Sequence, residues 1–224
     1  SIARRANQGI AVNATDLPVN QTYINQVNAT GAKVFQRSKW FNPAIVIVNS
    51  SAQLSAINGL SCVINSTPVG RYVKSVPDEP VTPVANSLRT SSGGASGYNY
   101  GPSITQVSQI GADCMHYYGY RGQNMMIAVI DAGYLGANTN QVFDSLFNEG
   151  RLLGTRDYVQ GNESVYEDYL HGANCLSLMA GNSPGNLIGT APKASYWLLR
   201  SEDAATEKII EENNCVVAAE FADS

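Results

Sequence analysis

An α/β protein with a parallel sheet, preceded by a small α+β module, is the fold class that the sequence predicts, and three observations carry it. From Ser103 onward, apolar runs of strand length alternate with helical patterns, the arrangement of parallel strands joined by crossover helices. The run Met125 to Ile130 is apolar throughout, as a strand covered on both faces must be. Between Val76 and Pro102 the composition breaks: Pro77, Pro80, Pro83 and the Ser/Gly stretch Ser91 to Gly97 cannot build a core and read as an exposed linker. The expected boundaries are therefore 1–75 for the module, 76–103 for the linker and 104–224 for the parallel-sheet segment.

Within the module, Gly9 to Val12 reads as a short strand, and Tyr23, Ile24 and Val27 mark one helical face. Lys33 to Ser38 and Ala44 to Val48 read as strands separated by a turn at Asn42-Pro43. Leu54 and Ile57 mark a second helix, capped by Ser50 or Ser51 and stopped by Gly59, before a last strand from Cys62 to Val69. The order β-α-β-β-α-β is the split βαβ, ferredoxin-like arrangement.

In the second segment, Ile104, Val107 and Ile110 line a helix ending near Gly119. After the Met125 to Ile130 strand, Leu152 to Asp157 and Tyr196 to Leu199 are further strand candidates. Helices are expected over Gln141 to Phe147, His171 to Ala180 and Cys215 to Ala222.

Composition excludes several functions. A net charge of −4 with no basic block leaves no nucleic-acid footprint. No run of eighteen apolar residues offers a membrane span, and the polar residues after Arg4-Arg5 do not form a signal-peptide core. The four cysteines, Cys62, Cys114, Cys175 and Cys215, are scattered without a C-x-x-C pair, so neither a metal site nor a disulfide framework is expected. Cys114, Cys175 and Cys215 lie beside apolar residues in helical stretches and read as buried free thiols.

Two residues carry a chemical signal. Asp131 directly follows Ile127-Ala128-Val129-Ile130, which puts a carboxylate at the C-terminal end of a buried strand, the edge where open α/β sheets bind and react. His171, one of only two histidines, opens a helix with Gly172 behind it. A helix N-terminus disfavours the protonated ring, which suits a general base. His116, mid-helix between Met115 and Tyr117, reads as a packed side chain with no partner suggested.

Three motifs combine these signals. Tyr118-Gly119-Tyr120-Arg121-Gly122-Gln123-Asn124 followed by Ile127 to Gly133 resembles the subtilase approach to its catalytic aspartate. His171-Gly172-Ala173-Asn174-Cys175 and the following Leu176 to Ala180 resemble the subtilase histidine helix, and Ile188-Gly189-Thr190-Ala191-Pro192-Lys193-Ala194 resembles the loop after it. All three occur in family order, over roughly residues 104–224, and the N-terminal module looks like the family's propeptide. The chain departs from the usual pattern at Ala132, Ala173 and Asn174, which puts the subgroup rather than the chemistry in doubt.

The resemblance implies the first half of a subtilisin-like serine endopeptidase domain, secreted or periplasmic/cell-surface, acting on proteins or peptides. Asp131 would be the orienting acid and His171 the general base of an Asp-His-Ser triad. The fifty-odd residues after His171 hold no Gly-Thr-Ser element, so the nucleophile is expected downstream and this chain alone is expected to be inactive, its partner being the rest of the peptidase domain. No cofactor is implied, and a structural calcium ion is not inferable. The module would act as an intramolecular chaperone and inhibitor, with cleavage in the Val76 to Pro102 stretch. Glu202, Asp203 and Glu207 fall where the family's non-primed substrate rim lies and would favour basic substrate residues. Two rivals stand beside this reading. Gly181-Asn182-Ser183-Pro184-Gly185 fits the G-x-S-x-G nucleophile elbow, although a helix rather than a strand precedes it. A non-catalytic binding protein on a subtilase-like scaffold is the other.

Overall fold

The computed structural model describes residues 2–69, 97–206 and 208–224. In chain order its elements are α1 (Ile2–Asn7), α2 (Gln21–Ala29), β1 (Lys33–Arg37), β2 (Ala44–Ile47), α3 (Ser51–Asn58), α4 (Ile104–Gln109), α5 (Ala112–Tyr117), β3 (Met126–Asp131), α6 (Asp144–Asn148), β4 (Leu152–Asp157), α7 (His171–Ala180), β5 (Asn182–Ser183), β6 (Leu187–Ile188), β7 (Ser195–Arg200) and α8 (Ile210–Asp223). They fall into two compact units, one of Ser1–Tyr72 with Lys208–Ser224 and one of Val73–Glu207. Residues 70–96, the end of the expected module and most of the expected 76–103 linker, lie outside the described residues, as does Glu207. Among the described residues no helix is long and apolar enough to cross a membrane.

The unit that carries the candidate site is built on a parallel sheet in the order β3-β7-β4. The register sets Asp131 opposite Arg200 on one side of β7, and Asp157 opposite Arg200 on the other. Three strands therefore end level, each on a charged residue, at their C-terminal edge. The central strand β7 buries Tyr196, Leu198 and Leu199 completely, and α7 packs Ala173, Leu176 and Ala180 into the same core with Tyr134, Phe143 and Leu146. The strands and the histidine helix form where the apolar runs and helical spacing place them. Gln141 to Phe147 opens instead as a 3-10 turn over Gln141–Phe143, because the Asn140 side chain accepts from Val142 N and starts the turn there.

Ser183 sits in a two-residue antiparallel ribbon, β5 with β6, directly after α7. A strand-turn-helix elbow is not formed there, and Ser183 Oγ accepts from Asn186 Nδ2 at 3.2 Å.

His116 is fully buried and, contrary to expectation, has two partners. Its Nδ1 lies 2.8 Å from Tyr100 Oη and its Nε2 3.0 Å from the Thr190 carbonyl. A carbonyl only accepts, so Nε2 carries the hydrogen and Nδ1 accepts from the tyrosine hydroxyl. Burial lowers its pKa below the ordinary value, and the ring stays neutral.

The module unit holds fewer strands than expected. β1 and β2 pair antiparallel, and Val27, Ala32 and Ile57 form a small core with Val34, Val46, Leu60 and Val63. Asn20 and Ser50 cap α2 and α3 by accepting from Thr22 N and Gln53 N. Among the described residues, Gly9 to Val12 and Cys62 to Val69 form no strand. Their β-branched residues find no cover among the described residues: Ile10, Val12, Ile64 and Val69 are all exposed. Helix α8 belongs to this unit. Its Glu220, almost fully buried, accepts from Ser38 Oγ, from Lys39 N at 2.9 Å and from Trp40 N at 3.1 Å. Gln36 Nε2 donates to Asn214 Oδ1 at 2.8 Å, and Arg5 pairs with both Asp16 and Asp223.

The expected burial of the helical cysteines is corrected. Cys114 and Cys215 are exposed and Cys175 is half-buried. On α5 it is Ala112 and His116 that face inward, and on α8 it is Asn214 and Ala218, which turns each neighbouring thiol outward.

Candidate active site

Asp131 and His171 meet at the C-terminal edge of the sheet. The strand delivers the carboxylate, of which only 8% of the residue is exposed. The helix delivers the ring at its first position. His171 Nδ1 lies 2.9 Å from both Asp131 oxygens, and Ala132 N donates to Asp131 Oδ1 at 2.7 Å. With Nδ1–H given to the carboxylate, the neutral ring presents Nε2 as an acceptor. The His171 side chain is 74% exposed, so that nitrogen is open to an incoming group.

Two glycines allow this approach. At Gly172 a Cβ would lie 2.5 Å from the Gly133 carbonyl oxygen and 2.9 Å from Asp131 Cβ, so any larger residue would push the helix start off the strand end. Gly133, at a φ of 156°, passes so close to the Asp168 carbonyl that a Cβ there would sit 1.9 Å from its oxygen. Tyr134 then turns into the core, where its hydroxyl donates to the Val129 carbonyl at 2.6 Å, and burial raises its pKa far above the ordinary range.

The electrostatics reverse one expectation. The His171 pKa is raised, not lowered: its hydrogen bond to Asp131 and then the carboxylate's charge outweigh burial, with Glu202 adding in the same direction. A carboxylate in contact acts more strongly on the imidazolium than the partial charge of a helix terminus.

Cys175 is the neighbour that the sequence reading passed over. Its sulfur lies 3.8 and 3.9 Å from the two ring nitrogens of His171. The i, i+4 spacing on one helix was the available signal. Burial, then the Asp131 charge, raises the thiol pKa, so the sulfur stays protonated rather than poised as a nucleophile. Asp131, His171 and Cys175 offer three metal-ligating atoms within 4.8 Å of one another. The His171 Nδ1–H is given to Asp131 and the thiol keeps its proton, so the three read as a hydrogen-bonded pair with a thiol beside it rather than as metal ligands.

Arg200 was also missed, since nothing local distinguishes it. Only 3% of the residue is exposed; its Nε donates to the Ala132 carbonyl at 2.9 Å, and its Nη1 lies 2.9 Å from Asp157 Oδ2 and 2.8 Å from Asp168 Oδ2. Of the expected acidic rim, Glu202 is exposed and Asp203 accepts from Thr206 Oγ1 at 2.6 Å.

Fold and site together define an α/β protein with an acid–histidine pair at the carboxyl edge of a parallel sheet. Residues 1–85 match the family described as Peptidase S8 propeptide domain, Bacteroidota. Subtilisin E of Bacillus subtilis (strain 168) is 29% identical over 110 residues, which are 48% of this chain and 26% of that protein. Subtilisin J of Geobacillus stearothermophilus is 28% identical over 110 residues, with the same coverage. Subtilisin of Bacillus pumilus is 28% identical over 100 residues, 44% of this chain and 33% of that protein. The chain thus spans between a quarter and a third of the length of the curated relatives it matches. By these matches the chain is similar to the N-terminal region of subtilases, propeptide included.

Proposed function

We propose that this chain supplies the acid–base half of a serine endopeptidase. Asp131 orients the ring and stabilises the imidazolium, and His171 takes the proton of an attacking serine hydroxyl through Nε2. The observation that carries the reading is the contact of His171 Nδ1 with both Asp131 oxygens at 2.9 Å, which leaves Nε2 exposed. The serine and the donors that stabilise the oxyanion come from sequence following residue 224, and without them residues 1–224 do not hydrolyse peptides. Ser183 is held in a short ribbon rather than on an elbow, which speaks against it as the nucleophile.

Residues 1–75 act as the propeptide, assisting folding and inhibiting the enzyme until the chain is cut between 76 and 102. The substrates are proteins or peptides, and the enzyme works outside the cytoplasm.

Labelling with a fluorophosphonate tests the assignment. The protein extended past residue 224 should label at a serine in the added sequence, and His171→Ala should slow labelling and casein hydrolysis by about 10⁴-fold or more. Residues 1–224 alone should not label. Labelling of Ser183, or turnover indifferent to His171→Ala, would refute the reading.

A further inference from the structure

We propose that Arg200 is the positioning residue of the Asp131–His171 pair, one buried guanidinium fixing both the peptide that carries the aspartate and the segment that delivers the histidine. The inference rests on the reading of Asp131 and His171 as an acid–base pair.

On the aspartate side, Ala132 is held twice. Its N–H donates to Asp131 Oδ1 and its carbonyl accepts from Arg200 Nε. Turning the Asp131 carboxylate away from His171 would therefore strain a backbone that the guanidinium pins. The register backs this up, because Arg200 lies opposite Asp131 on β3 and opposite Asp157 on β4.

On the histidine side, Arg200 Nη1 reaches Asp168, three residues ahead of His171. That segment needs a restraint. Tyr169 holds a φ of 45°, a region that non-glycine residues rarely adopt and that persists only when neighbours impose it. Leu135 N donates to the Tyr169 carbonyl at 2.9 Å, Gln160 Nε2 donates to Asp168 Oδ2 at 3.3 Å, and the Arg200–Asp168 ion pair adds the charged hold. A planar fork with donors along two edges can serve Ala132, Asp157 and Asp168 together, whereas the single ammonium of a lysine cannot keep that geometry.

The test is a pH titration of the two imidazoles by ¹H–¹⁵N NMR on residues 1–224. The chain has only two histidines, and His116, buried against Tyr100 and Thr190, is the internal control. The groups acting on His171 are Asp131 and Glu202, with the Cys175 thiol in contact. Asp131→Asn sets the reference and should bring the raised His171 midpoint down towards 6.5. Arg200→Lys, which keeps the charge and loses the fork, should move the midpoint at least half as far and speed exchange of the Nδ1 proton, with His116 unmoved. Asp168→Asn, at a partly exposed site whose charge is not among those acting on His171, should shift it in the same direction and decides the matter if Arg200→Lys does not fold. If Asp131→Asn leaves His171 unmoved, the pair itself is refuted and this inference with it. If Asp131→Asn shifts His171 but Arg200→Lys or, failing that, Asp168→Asn does not, Arg200 is no positioning residue. Movement of His116 together with His171 would also overturn the proposal, since it marks general damage to the fold.

Discussion

Tyr134, Tyr196, Leu198 and Leu199 are fully buried around the parallel sheet, whereas neither strand of the module buries any residue completely. The sheet unit closes on apolar volume. Among the described residues the module's packed cluster holds three small or medium buried residues, Val27, Ala32 and Ile57, and the unit leans on polar contacts with α8 centred on Glu220. A small unit that cannot bury enough apolar surface needs another source of stability. Here that source is a helix distant in sequence, reaching the strand end and turn at Ser38 to Trp40 through one carboxylate.

The chain's two tryptophans, Trp40 and Trp197, fall one in each unit, so their fluorescence can report on each separately. The largest effect is expected from Leu198→Ala, which empties a fully buried position of the central strand and should destabilise the sheet unit by about 2–5 kcal/mol. Urea unfolding followed at Trp197, in a Trp40→Phe background, measures it, and Trp40 in the converse background should hardly respond. Glu220→Ala should do the reverse. Losing charged hydrogen bonds to Ser38, Lys39 and Trp40 should destabilise the module by about 2–3 kcal/mol, read at Trp40. An equal response of both tryptophans to either change would break the comparison. Gly172→Ala should cost about 1–3 kcal/mol in the sheet unit alone, by forcing the start of α7 away from Gly133.

The smallest effect is on pH dependence. The His171 pKa is raised in the folded chain, so the protonated ring's pairing with Asp131 stabilises the fold fully below the unfolded value of about 6.5 and is lost as pH rises through the higher folded value. Stability of the sheet unit should thus fall slightly over that window, and Asp131→Asn should flatten the slope. The mostly exposed ring keeps the effect small. In the extended protein the same shift should place the rise of activity with pH above 6.5.

What the sequence made legible follows the same division. The β3 and β7 strands announce themselves by the apolar runs Met126 to Ile130 and Tyr196 to Leu199, and Asp131 and His171 lie at the ends of regular elements. Ile10, Val12 and Ile64 have strand-forming side chains but no partner strand, and periodicity cannot report a missing neighbour. The same holds for Arg200 and His116, whose partners are 16 to 74 positions away. The raised pKa of His171 was hidden for a related reason: the helix terminus is visible in the sequence, while contact with Asp131 exists only after folding.

The strand order β3-β7-β4 also governs how the chain emerges from a ribosome. Of these three strands the first two made, β3 and β4, are not neighbours, and among the described residues both pair with β7. Until residues 195–200 are synthesised, the parallel ladders that β3 and β4 form among the described residues cannot begin, and Arg200 is not yet between their ends. Translation thus leaves two strands waiting for a third, a sequence-distant assembly that is slow and open to misassociation, and this is the interval in which the nascent sheet has most need of protection.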